Sequence, residues 1–177
     1  MAVLGAPDKI VLTLTELVEQ IRRMSRACEL PLMVDADHGY GNALNVIRTV
    51  QELEMAGASA LSIEDTLLPA AFGSDGKPQL ITEAEAVGKI RAAVDARSDN
   101  RMVISGRTNL KATRDTGDAV SRIKAFEAAG VDMIFLVGVD TREQLDTLTD
   151  AVNLPFTVAA SNPYVQDDLD YLASRRV

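Results

Sequence analysis

Five short apolar runs alternate along this chain with longer segments that have the spacing of amphipathic helices. The runs cover residues 32–35, 60–63, 102–105, 133–137 and 156–159. Strands joined by helical connections of about a dozen residues pair in parallel, and their crossovers are almost always right-handed. The sequence therefore predicts an α/β fold in which a helix follows each strand of a parallel sheet.

Local signals mark where the helices begin and end. Capping-box sequences start at Thr13, Thr82 and Thr141 and predict a helix directly after each. Gly57 and Gly130 both follow the sequence Glu-X-Ala and precede an apolar run, so a helix–glycine–strand unit recurs, as expected for repeated βα units. The first helix is expected to extend to about residue 28, and a last helix is expected to begin at residues 162–163, where proline stands at the first helical position.

Charged residues follow the apolar runs, where the carboxyl ends of parallel strands meet at one edge of a sheet. Asp35 ends the first run and Asp37 follows it, Glu64 and Asp65 follow the second run, and Arg107 follows the third. Ligands of open α/β sheets and of (β/α) barrels bind at this edge. The coincidence favours a metal or anion site over solvated loop charges.

Two interpretations of the pair Asp35 and Asp37 stay open. In an extended chain, residues two apart point to the same side, and two adjacent carboxylates repel each other unless a cation lies between them. A hard cation such as Mg²⁺, which prefers oxygen ligands, would satisfy both. Alternatively, the pair caps the next helix and orders the turn.

Composition excludes several function classes. The chain has 177 residues, a net charge of −8 and no basic stripe, so nucleic acid is not an expected partner. No apolar stretch approaches the roughly 18 residues of a membrane helix, and no signal peptide is evident. Cys28 is the only cysteine, which excludes an internal disulfide and fits a reducing, cytoplasmic setting. It falls on the apolar side of the first helical pattern and is expected to serve in packing.

Residues 66–81 form the only long irregular segment and include two glycines and two prolines. Loops of this length inside compact domains are often lids or binding loops, but plain surface excursions are comparably frequent.

Three spaced motifs resemble those of the phosphoenolpyruvate mutase and isocitrate lyase superfamily. They are Asp35-Ala36-Asp37-His38-Gly39-Tyr40-Gly41-Asn42, Ala56-Gly57 leading to Ser62-Ile63-Glu64-Asp65, and Gly106-Arg107-Thr108. The resemblance covers nearly the whole chain, and residues 38 and 64–69 look most like the branch that decarboxylates oxaloacetate. It implies a modified (β/α)8 TIM-barrel fold, present here as one partial barrel domain, residues 1–177, with about five strands. The N-terminal and C-terminal barrel strands would be lacking.

The resemblance also implies a set of site residues. Asp35 resembles the direct ligand of Mg²⁺, with Mn²⁺ as a second candidate ion, while Asp37 and Glu64 would hold the ion through its waters. Asp8 is similar in spacing to another acid around the ion, or else stands at the start of a helix. Arg107 resembles the arginine that binds the substrate carboxylate or enolate oxygen, its alternative being a structural pairing with Glu64. The same resemblance gives Gly39 and Tyr40 contacts to substrate.

The function implied by this resemblance is Mg²⁺-dependent decarboxylation of oxaloacetate, or of a close α-keto acid, through an enolate. The resemblance implies that a lyase of methylisocitrate or alkylmalate type would carry a catalytic cysteine in its lid. Residues 66–81 contain no cysteine, which disfavours that activity. Residues 73–78 do not resemble the lid of phosphonate mutases, which disfavours a phosphonate mutase. A catalytically silent partial barrel is the alternative from another class. The family implies a homotetramer. His38 is either a metal ligand or base, or a structural residue.

Overall fold

Five parallel strands form half of a barrel, in the spatial order β1-β2-β3-β4-β5. The computed structural model describes residues 4–7, 9–160, 165 and 167–177. The strands are β1 (Met33–Asp35), β2 (Ala60–Glu64), β3 (Val103–Asn109), β4 (Met133–Val139) and β5 (Phe156–Ala160). The helices whose bounds fall within the described residues are α1 (Leu14–Ser25), α2 (Ala43–Ala56), α3 (Glu83–Ala96), α4 (Thr116–Ala129), α5 (Arg142–Thr149) and α6 (Leu169–Ser174). The predicted α/β fold with a parallel sheet is confirmed.

The helix boundaries follow the local signals in the sequence. Thr13 and Glu16 form the reciprocal capping box of α1, and the hydroxyls of Thr82 and Thr141 accept N–H bonds from the first turns of α3 and α5. Gly57 and Gly130 end α2 and α4 in the left-handed conformation, with φ of 100° and 96°. This conformation costs glycine little, because it has no Cβ. The start predicted for a helix at residues 162–163 lies outside the described residues.

The core lies between the sheet and the helices that cover one of its faces. Its largest buried side chains include Leu61, Ile63, Ile104, Ile134, Leu136 and Phe126. Gly106 lets α4 approach the sheet, since a Cβ there would lie 2.8 Å from Cδ2 of Phe126. The opposite face, which would be the inside of a closed barrel, carries the alternate residues of each strand. Within the described residues, no helix is long and apolar enough to cross a membrane.

β1 is only partly buried: Met33 is 43% exposed, because β1 pairs on one side only and its inner face is open. Two sequence expectations are corrected. α1 ends at Ser25, whose hydroxyl donates to the carbonyl of Ile21, and Cys28 therefore lies in the following loop, exposed. Arg107 lies within β3 and not after it.

The repeated Glu-X-Ala-Gly unit has a common structural role that its sequence did not reveal. The Glu54 carboxylate accepts from the backbone N–H of Ser98 (2.9 Å) and of Asp99 (2.7 Å), in the loop before β3. Likewise, the Glu127 carboxylate accepts from the N–H of Asn153, in the loop before β5. Each glutamate therefore fixes the start of a strand that lies beyond the next helix.

The bonds to Glu54 make the stability of the fold depend on pH. Burial acts to raise the pKa of Glu54, but the hydrogen bonds from Ser98 and Asp99 outweigh it and hold the pKa below its usual value. Stability contributed by such a group is present above its ordinary pKa and is lost as pH falls through the lowered one. We expect Glu54→Gln to lower the free energy of unfolding by about 1–2 kcal/mol at neutral pH and by progressively less toward about pH 3.

Urea unfolding monitored by circular dichroism across this pH range measures the effect. The matched control is Glu52→Gln, which removes a partner of Arg48 one helical turn away and should cost no more than about 0.5 kcal/mol. A cost for Glu54→Gln that is the same at both ends of the pH range would contradict the assignment.

Candidate active site

The register of the sheet brings the polar residues of the strand ends together. Asp35 is the register partner of Ser62, and Glu64 is that of Arg107. Partners on adjacent parallel strands project to the same face, and alternate residues along each strand share that face. Asp35, Glu64 and Arg107 consequently lie together on the inner face, at the carboxyl edge.

The guanidinium of Arg107 lies between two carboxylates. Its Nη1 is 2.5 Å from Oδ2 of Asp35, and its Nε is 3.6 Å from Oε2 of Glu64. The guanidinium carbon is 5.2 Å from the ring centroid of Phe135, the register partner of Arg107 on β4. Among the described residues, the buried Nε has no hydrogen-bond partner. Arg107 is therefore held in place and retains an unused donor.

Two hydroxyls that the sequence analysis did not single out complete the carboxylate environment. Ser62 Oγ donates to Oδ1 of Asp35 (3.3 Å), and Thr66 Oγ1 donates to Oε2 of Glu64 (2.6 Å). The signal for both was present in the sequence, because every second residue of the run Ser62-Ile63-Glu64-Asp65-Thr66 can face the same side.

Asp37 does not take the position that an extended chain would give it. The chain turns after Asp35, and Asp37 has φ of +49°. Its N–H donates to Oδ1 of Asp35 (3.1 Å), and its carbonyl accepts from the N–H of Glu64 (2.8 Å). The assumption of an extended chain, which would place Asp35 and Asp37 on the same side, was therefore wrong. Asp35 does order the turn, as the alternative held, but the cap of α2 is Asn42.

The carboxylate oxygens of Asp35 and Glu64 are suitable ligands for a hard divalent cation. The two carboxylates do not form a closed cluster. Asp35 is 51% exposed at the side chain and Glu64 is 7% exposed, and their two negative charges face one positive charge. Carboxylate oxygens with water in the other positions suit Mg²⁺. Within the described residues, no three Asp, Glu, His or Cys side chains are grouped closely enough to hold one ion. Asp8 lies outside those residues, so its predicted role stays a prediction.

The turn after β1 packs tightly against α2. Gly39 has φ of +74°, and a Cβ there would lie 2.5 Å from Cγ2 of Val46. Its N–H donates to the carbonyl of Ala36, and its carbonyl accepts from the Thr49 hydroxyl. These contacts give Gly39 a role in the turn itself. Its predicted contact to substrate stays a prediction.

The side chains of Tyr40 and His38, both in this turn, have different surroundings. The buried hydroxyl of Tyr40 has no hydrogen-bond partner among the described residues. Burial, together with the charges of Asp37 and Asp35, raises its pKa well above the usual value, so Tyr40 keeps its proton beside the carboxylates. Burial, and secondarily the charge of Lys89, lowers the pKa of His38, which is half-buried. The buried Nδ1 of His38 has no hydrogen-bond partner among the described residues, and both interpretations of this residue stay predictions.

Asp65 lies at the predicted edge but on the other face of the sheet. It is 2% exposed, and Oδ2 accepts from Thr108 and from Arg122, both at 3.0 Å. Burial raises the pKa of Asp65 to about 6, although Arg122 and Thr108 act to lower it. Grouping Asp65 with the site acids was therefore wrong, because adjacent strand residues point to opposite faces.

Residues 66–81 form the expected irregular loop beside the site. Thr66 and Leu80 make an antiparallel bridge near its two ends, and the N–H of Leu67 donates to the carbonyl of Gln79 (2.7 Å). A cavity of about 350 Å³ lies between this loop and Asn109 at the end of β3. The loop thus encloses space next to the carboxyl edge.

These features define a class of protein: a half-barrel of repeated βα units with an acidic, arginine-containing site at the carboxyl edge. The chain belongs to the phosphoenolpyruvate phosphomutase family, whose model matches residues 1–177. It is 58% identical over 177 residues to a protein named oxaloacetate decarboxylase from Rhodopseudomonas palustris (strain BisA53), covering 100% of this chain and 61% of that relative.

Solved structures agree with this assignment. The phosphoenolpyruvate phosphomutase from Streptomyces platensis subsp. rosaceus is 32% identical with a TM-score of 0.84, over 98% of this chain and 62% of that one. Phosphonopyruvate hydrolase in complex with oxalate and Mg²⁺ is 30% identical with a TM-score of 0.82, and the match covers 99% of this chain and 61% of that one. The chain therefore spans about three fifths of the length of the proteins it matches.

The site geometry predicts energetic coupling between Arg107 and Glu64. Arg107→Met would leave Glu64 nearly buried without its facing cation, which is costly. In the double variant with Glu64→Gln that cost disappears. We expect a coupling free energy of about 1–3 kcal/mol in a double-mutant cycle measured by urea unfolding. The control pairs Arg107→Met with Asp95→Asn, a change on the exposed surface of α3, and should be additive. Additivity of the first pair would contradict the proposed electrostatic contact.

Proposed function

We propose that this chain carries the metal-binding and substrate-binding residues of a Mg²⁺-dependent oxaloacetate decarboxylase. One observation carries the proposal: Arg107 lies between Asp35 and Glu64 at the carboxyl edge of a parallel half-barrel. Support comes from the 58% identical relative that bears the name oxaloacetate decarboxylase. Further support comes from the related phosphonopyruvate hydrolase, which binds oxalate, a small dicarboxylate, together with Mg²⁺.

The proposed reaction breaks the bond between C3 and C4 of oxaloacetate. The C4 carboxylate leaves as CO₂, the electron pair of the broken bond moves into an enolate, and a proton added at C3 gives pyruvate. A divalent cation, when bound, polarises the keto group and stabilises the negative charge of the enolate. Asp35 would hold the cation directly, with Asp37 and Glu64 holding it through water.

Arg107 supplies a positive charge that is already in position before the reaction begins. Asp35 and the ring of Phe135 fix its guanidinium, so little reorganisation is needed when negative charge develops on the substrate. Its Nε is buried and faces Glu64 at 3.6 Å, so a carboxylate or enolate oxygen would meet the exposed part of the side chain, which is 19% exposed. Tyr40, which keeps its proton, would act as a neutral donor beside the carboxylates.

The hydroxyls of Ser62 and Thr66 hold the carboxylates of Asp35 and Glu64 in their orientations. Residues 66–81 would cover the substrate, because this loop rises from the end of β2 directly after Glu64 and encloses a cavity at the edge. We also propose that the enzyme works as a homo-oligomer in the cytoplasm. The assembly rests on the family resemblance alone, and the location rests on the single cysteine of this chain, which fits a reducing compartment.

Pyruvate release from oxaloacetate tests the proposal. We expect release to require Mg²⁺ and to stop with EDTA, after the rate of a protein-free solution with the same Mg²⁺ is subtracted. Asp35→Asn and Arg107→Met should each lower kcat/KM by about 100-fold or more, since each removes a charge that acts on the reacting atoms. The control Asp95→Asn should retain the activity of the unaltered protein.

Three outcomes would overturn the proposal. Equal release with EDTA would exclude the metal, and full activity of Asp35→Asn would exclude the site. If the folded protein releases no pyruvate above the protein-free rate, the alternative of a catalytically silent partial barrel replaces the enzyme.

A further inference from the structure

A buried ion pair lies on the helix-facing side of the sheet, directly behind the candidate site. Arg122 of α4 and Asp65, at the end of β2, are 3.0 Å apart, and their side chains are 10% and 1% exposed. Asp65 stands between Glu64 and Thr66, the two residues whose side chains bond to each other on the opposite face. Any shift of Asp65 therefore moves both of these neighbours.

The ion pair connects the end of β2 to β3 as well as to α4. Thr108 donates its hydroxyl proton to the same carboxylate oxygen of Asp65 that accepts from Arg122. The backbone N–H of Asp65 donates to the carbonyl of Arg107 (3.2 Å). The backbone segments that carry Glu64 and Arg107 are thus joined through Asp65.

The same two residues hold the far end of the loop 66–81. The N–H of Ile81 donates to the carbonyl of Asp65 (2.9 Å), and Nη2 of Arg122 donates to the carbonyl of Ile81 (3.1 Å). Both backbone groups of Ile81 are therefore bound by this pair. Phe72, in the middle of the loop, is fully exposed, and Gly73 and Gly76 have φ of +80°, with no atom within 4 Å of the position that a Cβ would take. The loop has fixed ends and an unsupported tip.

Stability alone is a weak reason for this arrangement. Burying an ion pair removes its hydration, and this costs about as much free energy as the attraction between the two charges provides. Apolar side chains of similar size often give equal or greater stability. Here, Asp65 Oδ1 and Arg122 Nε also have no hydrogen-bond partner among the described residues, which adds to the cost. What an apolar pair cannot supply is a set of directed bonds to Thr108 and to the backbone of Ile81.

We propose that Asp65 and Arg122 are positioning residues, which hold both ends of the loop 66–81 and thereby keep Glu64 and Thr66 in place opposite Arg107. The proposal rests on the function proposed above, because Glu64 and the loop matter for catalysis only in that reaction. The forked guanidinium is essential to it, since one arm binds Asp65 and the other binds the carbonyl of Ile81. A lysine would keep the charge but cannot reproduce the fork.

Hydrogen exchange tests the positioning without reference to activity. In Arg122→Lys, we expect the amides of Leu67 and Ile81 to exchange at least about tenfold faster than in the unaltered protein, with β3 and β4 amides unchanged. Arg122→Met should show the larger effect of the same kind. The control is Arg48→Met, which removes an exposed partner of Glu52 on α2 and contacts neither Asp65 nor Arg122. If Arg122→Met fails to fold, Arg122→Lys decides.

Steady-state kinetics provide the second readout. We expect kcat for oxaloacetate to fall about tenfold in Arg122→Lys with an unchanged Tm, and not to fall in Arg48→Met. Unchanged exchange at Leu67 and Ile81 would overturn the proposal, as would faster exchange spread evenly over the sheet. If the unaltered protein shows no activity, the function proposed above fails, while the exchange experiment still decides whether Arg122 fixes the loop.

Discussion

The guanidinium of Arg107 lies between the carboxylates of Asp35 and Glu64, and the arrangement of the site depends on this contact. Two carboxylates brought to one edge of a sheet repel each other unless positive charge compensates them. Glu64 is almost buried, so water compensates it poorly, and the facing cation has a correspondingly large effect. One guanidinium and two carboxylates leave a net negative charge, which suits a site that also holds a divalent cation.

The strand alternation divides the end of β2 into two networks with different tasks. Glu64 and Thr66 face the site, while Asp65 faces the helices and is bound by Thr108 and Arg122. The first network presents charge to a ligand, and the second fixes the backbone that carries it. Neighbouring acids in a sequence can therefore belong to separate sites, even when both lie at the functional edge of the sheet.

Most of the architecture could be predicted from the sequence, because its signals are local. Threonine caps and left-handed glycines set the helix boundaries, and the apolar runs located all five strands. The errors came where local rules met the register of the sheet or a turn. Asp37 lies in a left-handed turn that alternation did not reveal. β3 continues through Arg107 because it pairs with β2 as far as Glu64 and with β4 as far as Val137. Cys28 was misplaced because the helix stopped early at Ser25.

The candidate site was predicted in its residues but not in its contacts. The family motifs pointed to Asp35, Glu64 and Arg107, which the structure brings together. The supporting hydroxyls of Ser62 and Thr66, the ring of Phe135 and the buried pair behind Glu64 depend on which strands are neighbours and in what register. Titration of Mn²⁺, observed by electron paramagnetic resonance, into the unaltered protein, Asp35→Asn and Arg107→Met tests the central claim most directly. The account predicts that Asp35→Asn weakens binding at least about tenfold. Arg107→Met is expected to bind Mn²⁺ at least as tightly as the unaltered protein, because a positive charge that repels the ion is removed. Equal affinity of Asp35→Asn and the unaltered protein would contradict it.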